Sequence, residues 1–237
     1  MTLLRVEKVS KRFGGICANE DISFDLDAGQ IVGLIGPNGA GKTTMFNCIA
    51  GYAHPTSGKI WLNDKEVSGL RPDQCARIGI GRTFQVARTF HSMTALENVM
   101  VGAVLDNKSV SAAREHSMHL LDLVGLARFA DKPAASMTIS EQRRLAVARA
   151  LAIKPKLLLM DEVMAGLNPS EVKEMVDTVK KIRSQGISCL IVEHVLEGIM
   201  PIADKIVVLD YGRKIAEGSP QLVSNDPVVI AAYLGDE

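Results

Sequence analysis

The chain has 237 residues, of which 47% are hydrophobic and only 4% aromatic, so its length suits one large domain with an aliphatic core, or a core domain with an insertion. Lys plus Arg and Asp plus Glu both total 27, and this balance argues against a whole-molecule attraction to nucleic acid or to an anionic membrane surface. No apolar run approaches the roughly 18 residues of a membrane span, and the N-terminal MTLLRVEKVS lacks a secretory hydrophobic region, so we expect a folded cytoplasmic protein.

The first third of the chain is predicted to form short strands separated by glycine turns. Apolar runs place these strands at residues 3–9, 22–26, 31–35 and 59–62. From about residue 86 the pattern becomes helical, in TALENVMVGAV, SAAREHSMHLLDLVGL and SEQRRLAVARALAI. We therefore expect a helical insertion that follows the opening strands of a sheet.

Strand and helix alternate in the last third of the chain. The strand LLLM precedes a helix over Pro169–Ser184, and the strands SCLIV and KIVVLD follow. Asn168 and Pro169 supply a cap and a first-turn proline for that helix, and VVIAAYL forms a final helix closed by Gly235. This alternation predicts a largely parallel, buried sheet.

A phosphate-binding loop is predicted at residues 36–43, because GPNGAGKT fits G-x-x-x-x-G-K-[ST] between the strand QIVGLI and the helix TTMFNCIAG. Its glycines let backbone N–H groups and the helix N-terminus point at a phosphate chain, which Lys42 also reaches, while Thr43 is placed to bind Mg²⁺. A simple glycine turn does not explain Lys and Thr at this spacing. The predicted nucleotide-binding residues here are Gly36, Pro37, Asn38, Gly39, Ala40, Gly41, Lys42, Thr43 and Thr44.

Two carboxylates, Asp161 and Glu162, end the apolar strand LLLM. Acids released at the C-terminal edge of a buried strand lie where open α/β sheets bind ligands. Asp161 is expected to hold Mg²⁺, directly or through water, and Glu162 to orient the attacking water. A solvated turn would explain such a pair alone, but beside a phosphate loop we favour the catalytic interpretation.

The order of these motifs resembles that of the ATPase subunits of ATP-binding cassette (ABC) transporters along nearly the whole chain. The similarity is closest to the branched-chain amino acid importer group, through KRFGG at Lys11, GRTFQ at Gly81, MDEVMAGLNP at Met160, VEH at Val192 and AAYLG at Ala231. It implies an α/β fold with a P-loop NTPase sheet core from residues 1–85 and 155–237. An antiparallel N-terminal β-subdomain and a helical subdomain over about residues 86–154 complete this single ATP-binding domain.

The resemblance also implies roles for individual residues. Phe13 would stack on the adenine ring, although an aromatic side chain packed in the core is an alternative. Gln85 would approach Mg²⁺ and the attacking water at the hinge of the helical insertion, and His194 would contact the terminal phosphate, although a lone His is usually structural. The implied catalytic set is Glu162, His194, Gln85 and Lys42, and the implied metal set is Thr43, Gln85 and Asp161.

Residues 137–141, MTISE, stand at the family's signature position, where the pattern is Leu-Ser-Gly-Gly-Gln and often Leu-Ser-Tyr-Gly-Glu in the importer group. In this family the signature of one subunit contacts ATP held by the other. Thr138 keeps the hydroxyl and Glu141 has precedent, but Ser140 replaces a glycine. A glycine permits close approach and positive φ, which other residues adopt at a cost of roughly 1–2 kcal/mol, so we expect a weakened signature or an outright loss of its function. The alternative is that Ser140 merely caps the helix and that the signature tolerates it.

The implied function is that of an ATP-hydrolysing motor subunit of a membrane transporter, with importers of branched-chain amino acids or similar small polar solutes as the closest group. ATP and Mg²⁺ are the implied cofactors. The implied partners are a second ATPase subunit, identical or related, the transmembrane permease subunits and indirectly a solute-binding protein, without nucleic acid, at the cytoplasmic face of the cell membrane. A regulatory subunit with a weakened signature and an export ATPase are the alternatives.

Overall fold

The computed structural model describes residues 1–84, 89–105, 107 and 109–234, with only the backbone of Leu234. The strands in these residues are β1 Thr2–Phe13, β2 Ile16–Asp27, β3 Ile31–Ile35, β4 Ser57–Leu62, β5 Lys65–Glu66, β6 Ile80–Arg82, β7 Leu157–Asp161, β8 Ser188–Val192, β9 Lys205–Asp210 and β10 Arg213–Gly218. The α-helices are α1 Lys42–Ile49, α2 Pro72–Arg77, α3 Ala95–Ala103, α4 Val110–Leu123, α5 Ile139–Leu151, α6 Pro169–Ser184, α7 Leu196–Ile199, α8 Pro220–Ser224 and α9 Pro227–Leu234. Among them, none has the length and apolar character needed to span a bilayer.

Two sheets form the framework. One is antiparallel, with strand order β2-β1-β4-β5, and the other has the order β10-β9-β3-β8-β7-β6. Strands β9, β3, β8, β7 and β6 are all parallel neighbours, and only β10 pairs antiparallel to the rest. The predicted parallel sheet and the antiparallel N-terminal β-subdomain are thereby confirmed.

The parallel sheet is buried on both faces, because its strands alternate side chains between two apolar cores. In β3, Ile31 and Ile35 face the core shared with the helices, while Val32 and Leu34 face the core shared with α1 and the antiparallel sheet. Continuous burial explains why the central strands β3, β7 and β8 are almost entirely apolar in sequence. The sheet is therefore a rigid platform for the loops at its edge.

Helices α3, α4 and α5 lie between β6 and β7 in the chain, in the stretch predicted to be helical. Leu121, Val99 and Leu145 are fully buried and belong to the same core as one face of the parallel sheet. The division of the chain at about residues 86 and 154 stays a prediction. For α6, the expected cap is observed, since the Asn168 side chain accepts a hydrogen bond from the Glu171 N–H at 3.0 Å.

Several elements differ from the sequence-based expectation. Strands β1 and β2 extend well beyond the predicted apolar runs, because their polar ends continue to pair across register shifts. The edge strand β10 and the short helix α2 were not predicted, since RKIAEG and PDQCAR carry too few apolar residues to produce a recognisable period.

Candidate functional site

The parallel register brings three separate loops to one edge of the sheet. Leu34 in β3 and Asp161 in β7 both pair with Val192, the last residue of β8. Consequently the residues that follow these strands, beginning at Gly36, Glu162 and Glu193, emerge side by side at the carboxyl ends of the strands. This is the edge at which open α/β sheets bind ligands.

The phosphate loop needs glycine at two positions for different neighbours. Gly36 has φ +146°, and a Cβ there would collide with the Leu209 carbonyl oxygen. Gly41 has φ +96°, and its Cβ would collide with the buried Asn19 amide, which donates a hydrogen bond to the Gly41 carbonyl at 3.1 Å. The backbone is therefore held in one shape by strands from both sheets.

Lys42 lies at the start of α1 and is largely buried. Its ammonium donates to the carbonyl oxygens of Gly36 and Pro37, at 2.7 and 2.8 Å. Burial lowers the pKa of Lys42, and the nearby carboxylates Glu162 and Asp161 oppose that shift. Asn38, Gly39 and Thr43 are exposed, so the loop and the first turn of its helix are open to a ligand.

Asp161 is buried at the end of β7, where it pairs with Arg82, a residue that was not predicted from the sequence to belong to the site. The Arg82 guanidinium donates to the Asp161 carboxylate at 3.3 Å and to the Asn47 side chain of α1 at 2.7 Å. Burial raises the pKa of Asp161, and Arg82 opposes that rise. Asp161 and the exposed Thr43 hydroxyl offer the oxygen donors that Mg²⁺ prefers, so the residues present fit that ion.

Glu162 has a left-handed backbone, with φ +50°, which is uncommon for a residue with a side chain and occurs preferentially at functional sites. Its N–H donates to the Val192 carbonyl at 2.9 Å, and its own carbonyl accepts a hydrogen bond from Arg143 of α5. One carboxylate oxygen lies 3.9 Å from Nδ1 of the half-exposed His194. The structure thus brings together Glu162 and His194, as the sequence-based roles require.

Two predicted residues lie at the margin of the described site. Gln85 falls outside the described residues. Phe13 is 51% exposed at the end of β1, with the Lys11 ammonium 4.8 Å from its ring centroid, so the alternative of a core aromatic is wrong. Its role in stacking on adenine stays a prediction.

Thr138, not Ser140, is the N-cap of α5. Its hydroxyl accepts from the Glu141 N–H at 3.2 Å, and the Glu141 carboxylate accepts from the Thr138 N–H at 2.9 Å. Glu141 also binds Lys132 at 2.7 Å; partial burial raises the pKa of Glu141, but these hydrogen bonds outweigh it and the pKa is lowered. Ser140 is therefore not the helix cap, so that part of the alternative is wrong, whereas tolerance of Ser140 by the signature stays a prediction.

Ser140 occupies the second helical position of α5 and is buried by its own subunit. Its backbone is helical, so the predicted cost of a positive φ does not arise. Ile139 is the residue of this turn that stands out into solvent, 67% exposed. The N-terminal turn of α5 therefore presents Thr138 and Ile139, and not the Ser140 side chain, as its outer surface.

Two known protein families match parts of the chain. Residues 19–165 match the family described as ABC transporter. The chain belongs to the ABC transporter family. Residues 213–237 of this ABC subunit also match the family described as branched-chain amino acid ATP-binding cassette transporter.

Individual relatives of this ABC subunit cover it almost completely. The high-affinity branched-chain amino acid transport ATP-binding protein BraF of Pseudomonas aeruginosa is 38% identical over 99% of the chain and 98% of the relative. The lipopolysaccharide export system ATP-binding protein LptB of Acidithiobacillus ferridurans is 35% identical with the same coverage.

Solved structures agree with the fold of this ABC subunit. The ADP conformation of MJ1267, an ATP-binding cassette of an ABC transporter, superimposes with a TM-score of 0.91 at 29% identity and covers both chains fully. The dimeric, post-hydrolysis cassette MJ0796, bound to ADP and Pi, has a TM-score of 0.83 at 26% identity over 92% of this chain and 99% of that one. The predicted family, the α/β ABC ATPase fold and the function as a nucleotide-binding transport ATPase are confirmed.

Proposed function

We propose that this ABC subunit drives a membrane importer of branched-chain amino acids or similar small polar solutes by Mg²⁺-dependent ATP hydrolysis. The observation that carries the reaction is the proximity of Glu162 and His194 at the sheet edge where the phosphate loop begins. The C-terminal match over residues 213–237 and the similarity to BraF support the cargo class.

The reaction follows from the groups that surround this edge. The phosphate loop and Lys42 bind the phosphate chain, and the Glu162 carboxylate orients the water and accepts its proton as it attacks the terminal phosphorus, while the bond to the ADP oxygen breaks. His194 donates a hydrogen bond to the terminal phosphate. Asp161 and Thr43 would hold Mg²⁺, which neutralises negative charge on the phosphates when bound.

A groove at the helical subdomain suits contact with permease subunits at the inner face of the membrane. A cavity of about 500 Å³ lies between α3, α5 and the segment after β6. Its rim includes the exposed side chains of Phe90, Val101 and Leu105, and Arg149 lies 4.7 Å from the Phe90 ring centroid. Phe84 lines the same groove and is next to the predicted hinge residue Gln85, so we expect a permease segment bound there to act on this hinge.

We further infer that the working form contains two ATPase subunits, identical or related, with the α5 turn of each facing ATP on the other. The exposed Thr138 and the positive N-terminal end of the α5 dipole favour an anion at this surface. The Ser140 side chain is packed inside its own subunit and its backbone is unstrained. We therefore expect this signature to function despite the missing glycine, which makes a purely regulatory subunit the less favoured role.

Substitution of Glu162 tests the proposed chemistry. Glu162→Gln removes the proton acceptor but keeps the shape, so ATP binding should persist while turnover falls at least a hundredfold. Glu174→Gln on α6 replaces an exposed carboxylate that pairs with Arg144 at 3.1 Å; it is the matched control and should leave turnover unchanged. Turnover of Glu162→Gln at the wild-type rate would remove Glu162 from this role.

Export is the second candidate, because LptB, an export ATP-binding protein, is 35% identical along the whole chain. The two directions are separated by reconstituting this subunit with its copurifying permease in liposomes. With a solute-binding protein present, an importer accumulates labelled leucine or a related solute only with ATP and wild-type Glu162. Extraction of lipid from the liposomes without solute uptake would support export and contradict the proposed cargo.

A further inference from the structure

Glu193 is a buried acid that the chemistry proposed above does not use. It lies between the end of β8 and His194 and is fully buried. One carboxyl oxygen, Oε1, accepts a hydrogen bond from the Met164 N–H at 2.7 Å. The other, Oε2, is also buried and has no hydrogen-bond partner among the described residues. Burying an acid with half of its hydrogen bonds unmade is costly, so a compensating role is expected.

The carboxyl of Glu193 joins the two loops that carry the reactive side chains. Met164 lies two residues after Glu162, and Glu193 directly precedes His194. The Glu162 N–H is bound by the Val192 carbonyl and the Met164 N–H by Glu193, so the turn at residues 162–164 is fixed to the end of β8 at both of its ends. Between these points Glu162 adopts its left-handed backbone, which persists only where neighbours hold it.

We propose that Glu193 is a positioning residue for ATP hydrolysis, which holds the turn at residues 162–164 against the His194 segment so that the Glu162 carboxylate faces the attacking water. This inference rests on the proposed role of Glu162. A displacement of a reacting group by about 1 Å costs on the order of a hundredfold in rate, so one hydrogen bond at this point has a large effect on turnover. The phosphate loop is held by other contacts, so ATP binding should be independent of Glu193.

The chemistry of the Glu193 carboxyl also determines which substitutions test its role. Burial raises the pKa of Glu193 to about 7, while nearby N–H groups, first that of Met164, oppose that rise. Oε1 accepts the Met164 N–H in either protonation state, because the unpartnered Oε2 can carry the proton. Gln keeps this acceptor and the side-chain length, whereas Ala removes both, so recovery of kcat in Glu193→Gln shows that the negative charge is not needed to hold the turn.

The test measures kcat, KM for ATP and nucleotide affinity of the assembled transporter carrying variants of this subunit. We expect Glu193→Ala to lower kcat at least tenfold with KM and ADP affinity within twofold of wild type, and Glu193→Gln to restore kcat to within threefold. Val179→Ala, in the buried face of α6, controls for lost stability and should keep kcat. If Glu193→Ala does not fold, Glu193→Asp replaces it, and its shorter side chain should also lower kcat.

Three outcomes would overturn the inference. One is wild-type kcat in Glu193→Ala or its Asp replacement, the second is a Glu193→Gln kcat as low as that of Glu193→Ala, and the third is a parallel loss of kcat in Val179→Ala. Glu162→Gln is measured alongside. If Glu162→Gln turns over ATP normally, the proposed role of Glu162 is wrong and so is the inference about Glu193. If Glu162→Gln is inactive, any of the three outcomes above contradicts only the role of Glu193.

Discussion

Glu193 also predicts a specific dependence of protein stability on pH. Its pKa is raised from an ordinary value of 4.5 to about 7 in the folded chain, chiefly because burial disfavours the charged carboxylate, with a smaller contribution from Glu162. Between these two values the unfolded chain releases the proton and the folded chain retains it. The contribution of Glu193 to the free energy of unfolding must therefore fall as pH rises from about 4.5 to about 7, and it is constant above that range.

The size of the effect follows from the same two values. One pKa unit corresponds to about 1.4 kcal/mol, so the full cost of keeping this acid buried is about 3 kcal/mol at and above neutral pH. Glu193→Gln cannot ionise and does not incur this cost. The stability of the Gln variant relative to wild type should therefore increase by about 2 kcal/mol between pH 5.5 and pH 7.5, whatever constant offset the amide introduces.

Urea unfolding at several pH values, with and without the Glu193→Gln substitution, measures this difference directly. Other titrating groups are the same in both proteins, so their contributions cancel in the comparison. Glu174→Gln, which replaces an exposed carboxylate, should give a curve parallel to wild type. If the Glu193→Gln and wild-type curves are parallel between pH 5.5 and 7.5, the carboxyl of Glu193 titrates normally and the reasoning about its burial is refuted.

Three further substitutions test other parts of the site. Arg82→Met should destabilise the chain by about 3–5 kcal/mol in urea unfolding, because it leaves buried Asp161 unpaired; a loss below about 1 kcal/mol would contradict the ion pair. Gly41→Ala should abolish binding of a fluorescent ATP analogue while circular dichroism is retained, since its Cβ has no room at φ +96°; normal binding would show that the loop adapts. Ser140→Gly should change ATP turnover by less than about threefold, because Ser140 is helical and buried. A tenfold increase in turnover would instead support the hypothesis that Ser140 weakens the signature.

The site residues that could be predicted from sequence are those that lie in short contiguous motifs. The phosphate loop is contiguous, and its strand and helix neighbours are apolar enough to be recognised. Asp161 and Glu162 follow a strand whose apolar character reflects burial on both faces. The parallel sheet was predictable for the same reason, while polar strand ends and the edge strand β10 were not, because pairing and not side-chain burial maintains them.

The residues missed from sequence depend on contacts between distant segments. Arg82 is 79 residues from Asp161, and Asn19 is 22 residues from Gly41, so neither pairing produces a local pattern. Glu193 was noted in the sequence only as part of the motif VEH and was given no role, since an acid after a strand usually faces solvent. The one available signal was its place between a strand and a candidate catalytic His; like Asp161, it directly follows a run of apolar strand residues.

The signature turn illustrates how backbone geometry can reverse an argument from residue type. From sequence, replacement of glycine by Ser140 suggested a strained backbone beside a phosphate. In the fold, Thr138 and Glu141 complete the cap, so Ser140 needs no special backbone angle and lies inside the subunit. The same principle works in the opposite direction at Glu162, where a side chain tolerates a left-handed backbone because Val192, Arg143 and the turn held by Glu193 fix its position. Glu162 thus has a strained backbone at the proposed reaction site, whereas the signature turn has none, which is why turnover should be far more sensitive to the surroundings of Glu162 than to Ser140.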